Sequence, residues 1–411
     1  MFKAFQQSFK ALKANPVRTV LTTLGIVIGI ATVVMVLSAG AGFKSLIDDQ
    51  IESLGNNTLF VKTRVPPTTK NRAQTITPGV AVGVTTFVQR DLDDIKKLNN
   101  VVNNYGMVIG MAVTSYRNNQ KNAIYMGSSY EKFTIDKYEL ISGRFYTQAE
   151  DKSASQVAIL GYKIAKDLFL QDDPIGKLVR VGTLNFQVIG VYENTGDVEG
   201  GADDSIFIPL QTAQKKMLGV NYISIAVVQL KDANLADATA ENIKLTLRKN
   251  HNITNPDKDD FMVMTQAQIM EIYNTIFNGI TILLIAIAGI SLVVGGVGIM
   301  NIMYVVVTER TAEIGLKKAL GATGSNILIE FLVESVLVTV LGGIIGIILG
   351  AGLSWVVAVI AKSFGLLWTY TVPFYAIVIA VGVSGAIGIS FGVLPARSAA
   401  KMDPIEALRY E

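Results

Sequence analysis

Long uncharged runs separated by charged joints set the pattern of this chain. Residues 19–43 hold no charged side chain, and the apolar heart of that run is residues 24–37. A run of this length spans a bilayer as one helix, and Gly25 and Gly29 place a small-xxx-small pair on it for close helix contact. Residues 277–307 form a second run of 31 uncharged positions. As a helix it would measure about 46 Å at 1.5 Å per residue, beyond a hydrocarbon core of roughly 30 Å. It must tilt or project out of the membrane, and Gly295 and Gly298 give it small packing surfaces. A third span covers residues 327–361, with a Gly342, Gly346, Gly350 face; its length predicts a break near Gly350–Gly352 or an emergent end. A fourth covers residues 374–394, where Ser384, Gly388 and Gly392 continue the small-residue habit.

Between the first two spans, residues 44–276 carry ordinary globular patterning. Strands are expected at 58–62, 108–114, 123–126, 156–160, 205–208, 222–229 and 261–264, with a hairpin over 178–192 turning at Gly182. Val88, Leu92, Ile95 and Leu98 make the apolar stripe of one helix, and Asn234 would cap another running to Arg248. Residues 64–78 read as a Pro/Thr-rich linker. Thr265 and Gln268 form a capping-box pattern that opens a helix running towards the membrane. The domain is thus α+β, in two subdomains, with about 130–207 as an inserted β-rich part.

Charge orients the spans. Lys3, Lys10, Lys13 and Arg18 precede the first, and Phe2, Phe5, Phe9 and Leu12 recur at helical spacing, so residues 1–18 read as a basic amphipathic helix on the inner leaflet. Arg397, Lys401 and Arg409 follow the last span in residues 395–411, whereas the short outer loop holds only Lys362. Cytoplasmic flanks carry the cations, which places both termini inside a multi-pass cell-membrane protein. A cleaved signal peptide ending at Ala39-Gly40-Ala41 is the rival reading, and the full-length first span speaks against it.

The joint at residues 308–326 is then cytoplasmic. Glu309 and Glu313 fall early in it, Lys317 and Lys318 late, and Gly321 supplies a left-handed stop, predicting one helix over 308–321. Alone, it says no more than that a charged loop orients its neighbours. The third span carries two acids a helical turn apart. Glu330 is near enough to its entry end to reach the interface, while Glu334 must face protein or a polar cavity. A structural or conformational role fits Glu334 better than a proton relay, because no other span offers a second titratable chain.

Half of the 411 residues are hydrophobic and only 17% are charged, where soluble domains average about 25%. The net charge of +3 comes with no basic run interleaved with aromatics, so nucleic acid is not a partner. There is no cysteine, hence no thiol chemistry or disulfide frame, and the single histidine, His251, reads as a surface loop residue. No G-x-S-x-G, H-E-x-x-H or P-loop occurs, and the pairs Asp172-Asp173 and Asp203-Asp204 read as solvated turn carboxylates. Catalytic and metal sites are absent from this reading.

Several segments match a family. ISLVVGGVGIMNIMYVVVTERTAEIGLKKALGAT, FLVESVLVTVLGGIIG, LPARSAAKMDPIEALRYE and KANPVRTVLTTLGIVIGIATVV resemble MacB/FtsX-type ABC transporter permeases, those of macrolide-exporter type in particular. DPIGK and FQVIGV are fainter echoes in the polar domain. The resemblance implies four transmembrane α-helices and a porter-like extracytoplasmic domain between helices 1 and 2. It further implies a homodimer served by two ABC ATPase subunits, with ATP and Mg on those subunits and no cofactor on this chain. Nucleotide-driven movement would pass along the long helices to the outer domain, a process termed mechanotransmission. Glu309, Arg310, Glu313, Gly315, Lys317, Lys318 and Gly321 then become candidate ATPase-coupling residues, and Glu334 matches an acid of the family whereas Glu330 is extra.

Without a G-x-x-x-x-G-K-[ST] motif, the ATPase is expected on a separate polypeptide. The expected function is export, or extraction from the outer leaflet, of an amphipathic drug, peptide or lipid-linked substrate, alongside an adaptor or membrane fusion protein and membrane lipid. The alternative is an FtsX-like regulatory permease controlling an extracytoplasmic partner such as a cell-wall hydrolase. An intramembrane enzyme lacks paired catalytic groups within the spans.

Overall fold

Among the described residues of the computed structural model, four helices are long and apolar enough to cross a membrane, and a sheet-rich domain lies between the first and second. The structure describes residues 16–53, 55, 57–66, 84–196, 201–364 and 366–408. Most of the expected amphipathic helix at 1–18, most of the 64–78 linker and Arg409 lie outside the described residues. The helices used below are α1 (Pro16–Ser53), α2 (Gln89–Ile95), α3 (Tyr162–Phe169), α4 (Ala236–Asn250), α5 (Gln266–Glu309), α6 (Thr311–Ala319), α7 (Gly324–Ser363), α8 (Phe374–Lys401) and α9 (Pro404–Leu408). The strands are β1 (Thr58–Thr63), β2 (Val101–Tyr116), β3 (Asn119–Ser128), β4 (Leu140–Gly143), β5 (Val157–Leu160), β6 (Leu178–Val181), β7 (Leu184–Tyr192), β8 (Ser205–Pro209), β9 (Ile225–Leu230) and β10 (Phe261–Thr265).

All ten strands join one sheet in the order β10-β1-β9-β2-β3-β8-β5-β7-β4, with β6 on β2 and β7. The β3–β8 and β5–β7 pairs are parallel and the rest antiparallel. β2 is long enough to serve two cores. Its first half pairs with β9, beside a core of Leu59, Leu92, Ile95, Ile243, Leu247 and Phe261 under α2 and α4. Its second half pairs with β3, where Val108, Tyr125, Leu160, Leu168, Phe169 and Ile206 pack beneath α3. Residues 130–207 enter this same sheet through β4 to β8. The β6–β7 hairpin turns at Gly182, whose φ of 61° suits a primed two-residue turn.

Local patterns fall short where distant residues intervene. Asn234 does not cap α4: it lies in a 3-10 turn, Ala233–Leu235, that leads into the helix and is itself capped by Asp232, whose carboxylate accepts from the Asn234 amide at 2.9 Å. Asp203 is not a solvated carboxylate; it is fully buried and accepts from the Thr195 amide at 3.0 Å. Its neighbour Asp204 pairs with Lys121 at 3.0 Å and Lys163 at 3.6 Å. His251 is likewise no surface residue, for its side chain is 3% exposed between Asp260 at 2.8 Å and Asp91 at 3.4 Å. Asn250 braces this clasp, donating to Asp91 at 2.8 Å.

The four apolar helices interlock through small residues. Ile26, Ile30 and Val34 of α1 share a core with Leu292, Ile299 and Met303 of α5 and Phe331 of α7. A Cβ on Gly25 would sit 2.7 Å from Gly295 Cα, so α1 and α5 meet backbone to backbone. Gly29 faces Leu292, while Gly346 and Gly350 face Ile30 and Val34. Gly342 is buried and Gly298 half-buried. α7 does not break near Gly350–Gly352: it is one 40-residue helix, with Gly346 and Gly350 filled by α1 and Gly343 by Ser384 of α8. Ser335 donates to the Gly388 carbonyl at 2.8 Å, and Ser38 and Ser354 share a 2.6 Å hydrogen bond. Buried hydroxyls thus find acceptors where water is excluded.

Candidate functional site

α5 starts where β10 ends. The Thr265 hydroxyl accepts from the Gln268 backbone amide at 3.1 Å, and the Gln268 side-chain Oε1 accepts from the Thr265 backbone amide at 3.2 Å. This reciprocal box satisfies amides that have no intrahelical partner. From there the helix runs 44 residues to Glu309, roughly 66 Å at 1.5 Å per residue. Its first residues belong to the compact unit holding the sheet and its last to the unit holding the apolar helices.

The other end is a joint. Arg310, at φ −105° and ψ 18°, leaves helical geometry, and α6 begins one residue later. The helix expected over 308–321 is therefore two pieces, α5 running through Glu309 and α6 starting at Thr311. The joint remains bonded, since Arg310 N donates to the Val306 carbonyl at 3.1 Å and Ile314 N to the Arg310 carbonyl at 3.0 Å. Thr308 and Thr311 hydroxyls donate to carbonyls of the last turn of α5. Such hydroxyl-to-carbonyl bonds bend helices.

Two ion pairs fasten this joint to α7. Arg310 Nη1 donates to Glu334 Oε2 at 3.1 Å, and Lys317 Nζ donates to Glu330 Oε1 at 2.7 Å. The two acids stand one turn apart on α7, and their partners lie two turns apart across the joint. Glu334 is 5% exposed and is paired with an arginine. Glu330, which sequence alone left without a role, has a partner equally defined.

α6 packs inward on Ile314 and Gly315, which are buried, and outward on Glu313, Leu316 and Leu320, which are exposed. A Cβ on Gly315 would lie 2.9 Å from Ala407 Cβ, so only glycine lets α9 lie this close. Lys318 Nζ donates to the carbonyls of Ala400 at 2.7 Å and Met402 at 2.6 Å, placing a cation at the carboxyl end of α8. Gly321, at φ 99°, ends α6: its amide donates to the Lys318 carbonyl and the Ala322 amide to the Lys317 carbonyl, both at 3.0 Å. That pair of bonds is a Schellman stop. Glu309 is exposed at the end of α5.

Sequence reasoning missed α9 and the Lys318 contacts. The signal for α9 was present in Asp403-Pro404: the Asp403 carboxylate accepts from the Ile405 amide at 2.7 Å, and proline suits a first helical position. A further small contact is Gly296, which faces the ring of Phe391 of α8. Among the described residues, no group of three or more His, Cys, Asp and Glu side chains could hold a metal ion.

The family model described as MacB-like periplasmic core domain matches residues 19–245, more than half of the chain, and that described as FtsX-like permease C-terminal matches residues 285–404. The chain belongs to the MacB-like, FtsX-type permease family. Similar relatives include the macrolide export ATP-binding/permease protein MacB of Bdellovibrio bacteriovorus, 36% identical over 100% of this chain and 62% of that protein. The MacB of Chlorobium luteolum is 37% identical over 99% of this chain and 60% of its own length. The chain thus spans about three fifths of the curated relatives it matches. Among solved structures, the periplasmic region of MacB from Actinobacillus actinomycetemcomitans aligns with 55% of this chain and 95% of its own, at 19% identity and TM-score 0.45. The extracellular domain of the noncanonic ABC-type transporter YknZ from Gram-positive bacteria aligns with 51% of this chain and 100% of its own, at 21% identity and TM-score 0.41. As a MacB-like permease, the protein is a multi-pass membrane protein with its sheet domain on the extracytoplasmic side, between helices α1 and α5.

Proposed function

We propose that this MacB-like permease couples ATP hydrolysis on a separate ABC ATPase subunit to movement of its extracytoplasmic domain. Two copies of the permease work with two ATPase subunits, which bind the ATP and Mg. Both termini and residues 308–326 are cytoplasmic. Glu309, Arg310, Glu313, Gly315, Lys317, Lys318 and Gly321 form the coupling segment. The substrate is an amphipathic drug, peptide or lipid-linked molecule, exported or extracted from the outer leaflet with an extracytoplasmic adaptor or membrane fusion protein.

One observation carries this reading. A single 44-residue helix leaves the sheet domain from a closed capping box and ends at a joint fastened to α7 by Arg310–Glu334 and Lys317–Glu330. A membrane anchor requires neither end to be fixed, whereas a lever requires both. About two fifths of the length of the relatives named macrolide export ATP-binding/permease protein lies outside the part that this chain matches. Purification in mild detergent with mass spectrometry of bound proteins and small molecules tests the assignment. An ABC ATPase co-purifying in equal amount is the expected result, and a homogeneous permease hydrolysing ATP alone would contradict it. A reporter inserted near Asn119 should read extracytoplasmic; a cytoplasmic readout would reverse the proposed orientation.

The match of residues 285–404 to FtsX-like permeases also favours a second use of the same lever, control of a cell-wall hydrolase. The proteins bound to the sheet domain separate the two uses. An adaptor supports export, and a hydrolase supports regulation.

A further inference from the structure

We infer that the outer loop between α7 and α8 is a strap that makes the far half of the sheet domain follow the membrane helices, through Leu367 on the Gly196 turn and Trp368 on Gly42 of α1. Its role rests on the reading above that ATP-driven movement reaches the outer domain; the strap decides which half of that domain follows.

Residues 366–373 form neither helix nor strand. From Trp368 onward they belong with the apolar helices. A Cβ on Gly42 would lie 2.6 Å from Trp368 Cε2 and 3.0 Å from the Thr369 carbonyl oxygen, so α1 keeps a glycine where the loop crosses it. Ser38, four residues earlier on the same face of α1, is 1% exposed, and its hydroxyl donates to the Thr371 carbonyl at 2.5 Å. That bond uses the one hydroxyl proton of Ser38, so Ser354 of α7 donates to Ser38 Oγ at 2.6 Å. Tyr370 Oη donates to the Ala351 carbonyl of α7 at 3.1 Å. The loop is thus pinned to two helices at successive residues.

Residues 362–367 belong instead with the sheet domain. A Cβ on Gly196 would lie 2.6 Å from Leu367 N and 2.8 Å from Leu367 Cβ, so the Gly196 backbone rests directly on Leu367. The Gly196 turn, just after β7, is fixed from within. Its Thr195 amide donates to the buried Asp203 carboxylate at 3.0 Å, and its Gly196 amide to Asn194 Oδ1 at 3.1 Å. One peptide bond, from Leu367 to Trp368, therefore joins a residue seated in the sheet domain to a residue seated among the helices.

Strand order gives this bond its mechanical role. α1 leads into β1 and α5 leaves from β10, and these two strands are neighbours at one edge of the sheet. Two attachments on adjacent edge strands act as a hinge: that edge moves with the helices while the far strands are free to lag. β7 stands beside β4 at the opposite edge. A third attachment just beyond β7 makes both edges move together. Coupling of this kind passes through packed side chains and fixed turns, which Leu367, Gly196 and Asp203 supply.

Leu367 is 52% exposed, so Leu367→Ala should fold, and Phe364→Ala, at a residue 71% exposed in the same loop, is the control. Hydrogen exchange of the full chain in lipid nanodiscs, with no ATPase present, reads the contact alone. Leu367→Ala should speed exchange of the amides of residues 194–196 about fivefold, while β1 and β10 keep the parent rates and Phe364→Ala changes neither. Unchanged exchange at residues 194–196 would overturn the strap. The movement is read separately with the ATPase subunit bound. Because the native chain has no cysteine, spin labels go on single cysteines in both copies of the dimer, at exposed Lys177→Cys beside β7 or exposed Ala238→Cys on α4. ATP and Mg should shift both distance distributions in the parent. Leu367→Ala should remove most of the shift at Lys177→Cys and keep that at Ala238→Cys. A shift at Lys177→Cys as large as the parent's would overturn the strap as a transmission link. No shift at either site in the parent would instead overturn the lever reading, with the exchange result still deciding the contact.

Discussion

Arg310 Nη1 donates to Glu334 Oε2 across 3.1 Å, joining the residue that ends α5 to a carboxylate that is only 5% exposed on α7. A carboxylate at this depth persists only with a partner. Replacing Arg310 with Met should therefore lower stability by roughly 3 kcal/mol, because it leaves a buried acid unpaired. Glu334→Gln in the same chain should recover most of that loss. A double-mutant cycle on thermal unfolding in detergent checks this; additive effects of the two substitutions would show that the pair is not coupled.

Gly25 of α1 lies backbone to backbone against Gly295 of α5. Gly25→Val should cost about 1–3 kcal/mol through overpacking of two backbones that cannot separate. Gly289→Ala is the control, since a Cβ there meets nothing within 4 Å. Folded yield after size-exclusion chromatography should fall for the first and hold for the second.

His251 gives the outer domain a pH dependence of known sign. Burial opposes its charging, but Asp91 and Asp260 outweigh burial, and its pKa is raised above the ordinary 6.5. Its contribution to stability is full below that ordinary value and fades as pH rises through the raised folded value. For Asp91, burial pushes the pKa up, but hydrogen bonds from His251, the Val88 amide and Asn250 take it below 3.8. That contribution is present above 3.8 and is lost as pH falls through the lowered value. Thermal unfolding of the full chain should thus be most resistant at mildly acidic pH, and His251→Gln should remove the alkaline-side loss. An unchanged alkaline slope in that variant would exclude the clasp.

Glu313 is exposed on α6 and supports no buried packing. Glu313→Ala should leave thermal stability within about 0.5 kcal/mol of the parent, as exposed substitutions do. Transport, or activation of the outer partner, should nevertheless fall while ATP hydrolysis continues. Normal function in this variant would remove Glu313 from the coupling role.

Features governed by neighbours in sequence were legible before the structure. The Thr265–Gln268 box, the Gly321 stop, the Gly182 turn and the four spans each depend on residues within a few positions of one another. Features governed by distant residues were not. The need for Glu334 to face protein could be read, but Arg310, 24 positions away, could not be chosen over other cations. α5 and α6 part at Arg310, where local propensity favoured one helix. His251 looked exposed because its polar surroundings in sequence gave no hint of Asp91, 160 positions earlier. α7 looked breakable near Gly350 because the α1 residues that fill Gly346 and Gly350 are some 320 positions away.

The central claim is that α5 carries the nucleotide state of the cytoplasmic side to the outer domain as a rigid rod. Spin labels on Asn118→Cys in both copies of the dimer, in lipid nanodiscs with the ATPase subunit, report that movement directly. ATP and Mg should shift the label-to-label distance distribution in the parent protein. Inserting two glycines after Val307 should abolish the shift while the ATPase remains bound and active. The same shift in the glycine variant, or none in the parent, would contradict the rod.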